Sequence, residues 1–204
     1  MLAWPLRDPR WVRRLGLMGL LWLALNLTLV GIPIAAIALT GWMLTAADNL
    51  RAGRPELPPA GLYLARGFRL FLVQIAYLLA LLTITAVPIA GGLRLGGVGG
   101  GLLAVFGEAV LTLGSILLAA VVPGLAVLVD SGGIRGGLNP RRLARLLAAN
   151  RRAATGSGLM SLLCLDIISP VGLLACGIGL AGTTTYAYAV LASTVADFDR
   201  QVRR

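Results

Sequence analysis

The sequence predicts an all-α, polytopic membrane helical bundle: about six short segments in three hairpins, with amphipathic helices on one face. Three observations carry this expectation. Of 204 residues, 58% are hydrophobic and only 13% charged, with a mean hydropathy of +0.88. Soluble domains are about 45–50% apolar and roughly 25% charged, so a water-soluble globule lacks the polar surface it needs here. The apolar residues fall in three long regions, 15–47, 71–129 and 158–196, and the arginines lie between them.

A crossing takes about 20 helical residues, so the first and third regions are too long for one helix and short for two. Each has a breaker near its middle: Gly31-Ile32-Pro33-Ile34 in the first, and Ser169-Pro170 followed by Gly172, Gly177, Gly179 and Gly182 in the third. The arginines decide how to read them. Four crossings divide the 18 arginines 8 against 10, which is no bias. Six segments place all but Arg94 on one side. Arginine-rich loops stay cytoplasmic, so the sequence predicts hairpins at about 15–49, 70–129 and 158–197, forming a single integral domain over 1–204. Both termini are expected in the cytoplasm, at a plasma (inner) membrane.

The segments are expected at about 15–31, 33–49, 70–90, 102–129, 158–176 and 178–197. The stretch 91–101, with seven glycines, reads as a flexible external connector. Two connections are amphipathic. In 139–152, Asn139 suits an N-cap and Pro140 the first helical position. Arg141, Arg145 and Arg152 then share one face, and Leu143, Leu146 and Leu147 the other. In 61–70, Arg66 and Arg69 oppose Leu64 and Phe68. These arginines are candidates for anionic lipid headgroups, with leucines at the acyl boundary; connectors packed on the bundle are the simpler alternative. Trp4 and Trp11 read as interface anchors.

All basic residues are arginine, and there is no lysine or histidine. A histidine-based triad, a histidine-held haem and a zinc site are therefore not expected within this chain, and no cofactor is. Cys164 and Cys176 lie in apolar sequence and read as small core residues. Gly177–Gly182 spells GxGxxG, but it lacks the strand and βαβ context of a dinucleotide site. The charge of +10 reflects the basic loops of a membrane protein rather than nucleic-acid binding.

Ionisable groups within a membrane are functional candidates by default. Glu108 and Asp166 qualify. Glu108, Thr112 and Ser115 form a polar stripe on one helix face, placed to line a pathway or meet Asp166. The alternatives are Glu108 in the outer headgroups and Asp166 serving the break before Pro170.

Two short patterns recur. Asp8-Pro9-Arg10 precedes the first hairpin and Asn139-Pro140-Arg141 the third, and T-x-A-D-x-x-R ends both, at 45–51 and 194–200. They suggest two similar hairpin units around a central pair.

The residues Asp8-Pro9-Arg10-Trp11, the pair Gly41-Trp42, and the pattern from Asn49-Leu50 through Gly53 to Leu57-Pro58 resemble an uncharacterised family of prokaryotic multi-pass membrane proteins, domain of unknown function number 4013. Tyr186 or Tyr188 and the charged C-terminal helix end agree with it. Thr45 and Asp48 stand where that family usually has arginine, and Pro59-Ala60 replaces an acidic-Trp ending. The resemblance implies a fold and a membrane location, with no activity attached. The residues themselves give the motif a structural reading: Arg51 at a helix C-terminus, Gly53 in the left-handed conformation, Pro55 stopping the helix.

For function, the sequence leads to an expectation of a non-catalytic accessory or assembly subunit of a larger membrane complex. Its partners would be membrane proteins or further copies of itself. The alternatives are a small transporter using Glu108 and Asp166, and a lipid-binding, membrane-shaping protein.

Overall fold

The computed structural model describes residues 2–172 and 178–203. Cys176, Gly177 and the turn expected between the last two segments lie outside them. The described residues form helices and no strand. After a 3-10 turn, Pro5–Arg7, come α1 Trp11–Asn26, α2 Gly31–Arg51, α3 Leu64–Leu95, α4 Gly97–Gly137, α5 Pro140–Ala149, α6 Arg151–Val171 and α7 Ile178–Val202. Among these, α2, α3, α4 and α6 are long and apolar enough to cross a membrane. The protein is a membrane helical bundle.

The first turn falls one step earlier than its breaker. Residues 27–30 reverse the chain, and the Thr28 hydroxyl accepts a 3.0 Å hydrogen bond from Gly31 N. Pro33 then lies in the first turn of α2, where a missing N–H leaves no carbonyl unpaired.

The proline at 170 acts differently from a break. The helix runs through it, and the preceding residues Leu163–Ile168 widen into a π turn. Proline has no N–H to serve the carbonyl four residues back, and a wider turn relieves the clash of its ring there.

The glycine-rich stretch is helical, not a loose connector. Helix α3 runs to Leu95 and α4 starts at Gly97, with Gly96 (φ 62°) and Gly97 (φ 61°) making the reversal. Only glycine adopts two such angles in succession without strain. On either side the backbone stays helical, and Gly92 and Gly100 let α3 and α4 touch: a Cβ on either would collide with the other's carbonyl oxygen.

The amphipathic stretches also differ from expectation. Residues 61–63 are not helical, and Arg66 and Arg69 belong to the first two turns of α3. Helix α5 ends at Asn150 (φ −120°, ψ 45°), whose side-chain amide donates to Leu146 O at 3.1 Å. Arg152 therefore sits on α6, on a different axis from Arg141 and Arg145.

Helices α2 and α7 make the centre. Trp42, Leu39, Met43, Leu44, Leu191 and Phe198 are each at most 1% exposed. Helix α3 crosses α2 at Gly41 and Gly67. A Cβ on Gly41 would collide with Tyr63 O, and one on Gly67 with Ile37 O, so the two backbones touch. Trp4, expected as an interface anchor, is instead buried, and its indole donates to Ala189 O at 3.0 Å. Cys164 is fully buried beside Ala187 and Val190.

Candidate functional site

Six of the chain's eight carboxylates gather at the arginine-rich end, where the helices stop. The gathering starts from local signals. Arg51 is the last residue of α2, followed by Gly53 at φ 74° and an extended run through Pro58 and Pro59. A cation there meets the negative end of the helix dipole.

Tertiary structure adds what the local pattern lacks. Arg51 Nη1 lies 2.9 Å from Asp48 Oδ1 and 2.8 Å from Asp130 Oδ2, while Nε lies 3.0 Å from Asp199 Oδ2. Its contact with Asp199 is close but not aligned as a hydrogen bond, and Nη2 is buried without a partner. One guanidinium thus ties the ends of α2, α4 and α7. Arg66 joins from α3, 2.5 Å from Asp48 and 3.4 Å from Asp130. On the far side Asp199 Oδ1 accepts from Arg203 Nε at 3.0 Å.

The T-x-A-D-x-x-R copies meet here. Each makes the same internal pair, Asp48–Arg51 at 2.9 Å and Asp197–Arg200 at 3.2 Å. Across the α2–α7 contact, Arg51 reaches Asp199, and Arg200 Nη2 donates to Leu50 O at 2.6 Å. The second copy's arginine therefore satisfies a terminal carbonyl of the first.

The family-like residues form a second knot beside this one. Asp8 is 2% exposed, and its Oδ2 accepts from Arg14 at 2.8 Å and from Leu57 N at 2.9 Å. Arg14 also donates to Leu57 O and faces Glu56 at 3.4 Å. Trp42 Nε1 donates to Pro58 O at 3.1 Å, and Asn49 to Glu56 O at 3.0 Å. Asp8, Trp42, Asn49 and Leu57-Pro58 thus fasten the 54–59 strap across the bundle end. Tyr63 closes it, its hydroxyl donating to Pro59 O at 2.9 Å. Burial pushes the Tyr63 phenol above its ordinary pKa, against the opposing pull of Arg14.

Chemically both knots are closed. Each carboxylate faces a guanidinium, and no hydroxyl or thiol is placed as a nucleophile beside a base. Their capacity is to hold helix ends in register.

The residues singled out from sequence are not gathered here, apart from Arg66. Glu108, Thr112 and Ser115 are all exposed on α4, and Ser115 borders a cleft shared with Gln74, Leu165 and Tyr188. The Ser115 hydroxyl donates to Leu111 O at 2.8 Å. Asp166 is exposed within the π turn of α6. The structure does not bring Glu108 and Asp166 together. Arg66 is a structural ion-pair partner, while Arg69, Arg141, Arg145 and Arg152 are exposed. Sequence reasoning passed over Asp130, Asp199 and the reach of Arg51. The available signal was that acids are scarce and that these three ionic groups end three different apolar segments on the arginine side.

The family model described as "Protein of unknown function (DUF4013)" matches residues 24–181. No curated protein and no solved structure matches the chain.

Proposed function

The chain belongs to the DUF4013 family, and we propose that it is a non-catalytic accessory or assembly subunit of a larger complex in a prokaryotic plasma (inner) membrane. Both termini and the ionic knots lie on the cytoplasmic face in this reading. The arginine asymmetry supports that orientation, since only Arg94 stands at the opposite end.

The observation that carries the proposal is the far half of the α3–α4 hairpin. From Asp130 back to Gly97 is 33 residues of α4, about 50 Å at 1.5 Å per residue. Even at a steep tilt of about 40° it projects about 38 Å, beyond a hydrocarbon core of about 30 Å. The tip therefore stands in the headgroup layer. Yet Leu93, Val98 and Leu102 there are 76%, 83% and 68% exposed. Such an apolar patch outside the lipid core is the mark of an interaction site. Glu108 and Thr112, on the exposed face just below, supply polar groups for a partner helix.

The transport alternative draws on Glu108 and Asp166, which lie exposed on separate elements and share no hydrogen bond or ion pair among the described residues. Nothing in their placement favours it over the subunit reading.

Purification in mild detergent with mass spectrometry of what travels with the chain tests the proposal. A defined set of membrane proteins, or a stable homo-oligomer, is expected. A monomer that carries no protein partner under gentle extraction overturns it. A cysteine placed at Arg94 is expected to be labelled from the periplasmic side only, and one at Gly53 from the cytoplasmic side only.

A further inference from the structure

One polar cleft is used by neither knot. It lies between the end of α4, helix α5 and the end of α7, with a volume of about 610 Å³. It is lined by Arg142, Arg145, Arg203 and Ser131, and by the apolar side chains of Leu128, Leu146 and Val202. Charge counting separates these arginines. Arg203 is neutralised by Asp199, the one acid on the lining, whose second oxygen is already on Arg51. Arg142 and Arg145 face no carboxylate among the described residues within ion-pair distance. The cleft thus holds two uncompensated positive charges beside apolar side chains.

Arg142 also lies against the α4 backbone. The backbone of α4 breaks at Gly133 (φ 61°, ψ −158°), and Arg142 lies across the bare backbone there. A Cβ on Gly132 would sit 3.0 Å from its Nη1, and one on Gly136 3.7 Å. At the other end of the residue, Arg142 N is fixed by the Asn139 cap at 3.1 Å. Helix α5 itself is anchored by Leu143, 8% exposed, over Gly124.

We infer that this cleft is a binding site for the phosphate of an anionic phospholipid, with Arg142 and Arg145 as the charge-bearing contacts. Guanidinium groups match phosphate oxygens in geometry as well as charge. The apolar part of the lining favours an amphiphile over a free ion, and the location at the arginine-rich end of the bundle puts the cleft level with lipid headgroups. The two residues do more than coat a surface: Arg141, one position away, and Arg152 are exposed but are not on this lining. The inference concerns the isolated chain and does not depend on the subunit reading.

Native mass spectrometry of the purified protein in mixed micelles tests it, counting retained phosphatidylglycerol against phosphatidylcholine. One phosphatidylglycerol is expected to be retained about tenfold more tightly than phosphatidylcholine, whose choline ammonium offsets the charge of its phosphate and is repelled by the arginines. In the double variant Arg142→Gln/Arg145→Gln that preference disappears. The matched control Arg141→Gln/Arg152→Gln keeps it, at the same net charge. All four side chains are exposed, so each variant folds. Arg203→Gln has a smaller effect, since Arg203 already serves Asp199. Equal loss in both double variants means general surface charge and overturns the site, as does equal retention of the two lipids by the unaltered protein. Displacement by inorganic phosphate as effective as displacement by phosphatidylglycerol overturns the lipid assignment in favour of a free phosphate site.

Discussion

The two ends of the bundle use opposite means of cohesion. At the arginine-rich end, charged side chains tie α2, α4 and α7 through Arg51, and a strap of backbone is fastened to Asp8, Arg14 and Trp42. At the far end, α3 and α4 pack chiefly on each other and show their side chains outward. Helix by helix, the apolar stretch of α2 is 61% buried, against 17% in α3, 28% in α4 and 17% in α6. The difference shows where the chain is self-sufficient. At one end ion pairs and the strap hold the helices to one another, and the other leaves apolar surface for something else to cover.

Removing the arginine at the centre of the first knot gives the largest expected effect. Arg51→Met leaves Asp199, which is 4% exposed, to Arg203 alone and Asp130 to Arg66 alone. Breaking a buried pair from one side costs about 3–5 kcal/mol, read as a fall in the thermal unfolding midpoint in detergent. Arg51→Met/Asp199→Leu recovers much of that loss, because the buried charge is removed along with its partner. A double variant as unstable as Arg51→Met would show that the pair acts through something other than charge.

A somewhat smaller loss is expected where backbones touch. Gly67→Ala places a methyl group against Ile37 O and Gly41 N, and the forced shift of α3 costs about 1–3 kcal/mol. Cross-linking between cysteines on α2 and α3 reports the same displacement.

Arg66→Gln sharpens the comparison within the cluster. At 43% exposure, its pairs with Asp48 and Asp130 contribute no more than about 1 kcal/mol. At the far end the effect on the isolated protein is smaller still. Leu102→Ala removes a side chain that is 68% exposed, so unfolding changes by less than about 0.5 kcal/mol. The same change weakens retention of a partner in native extracts. A loss of several kcal/mol from the isolated chain would show that the tip is internal structure.

Much of this organisation was legible in the residues. Apolar lengths, the breakers and the placement of arginine pointed to hairpins, and Asn139-Pro140 marked a helix start because cap chemistry is local. Gly53 and Pro55 after Arg51 were readable for the same reason. Where the reading missed, a competing effect won. The glycines at 91–101 suggest flexibility, but Gly92 and Gly100 serve a close contact between α3 and α4, and the stretch stays helical. Trp4 has an anchor's sequence setting, yet Ala189 offers a buried carbonyl. Arg66 sits in an amphipathic pattern, yet Asp48 and Asp130 reach it from 18 and 64 positions away. The clustering of Arg51 with Asp130 and Asp199 depends on how three helices end in space, which no spacing along the chain encodes.

The two-ended account is tested most directly by photo-crosslinking in native membranes from a reactive residue placed at Leu102 or Glu108. The account predicts a discrete protein adduct from the far end of α4, and none from a matched position at Arg152 near the arginine-rich end. Adducts to lipid alone at Leu102 and Glu108 would contradict it, and would leave the α3–α4 hairpin as a self-contained element of the fold.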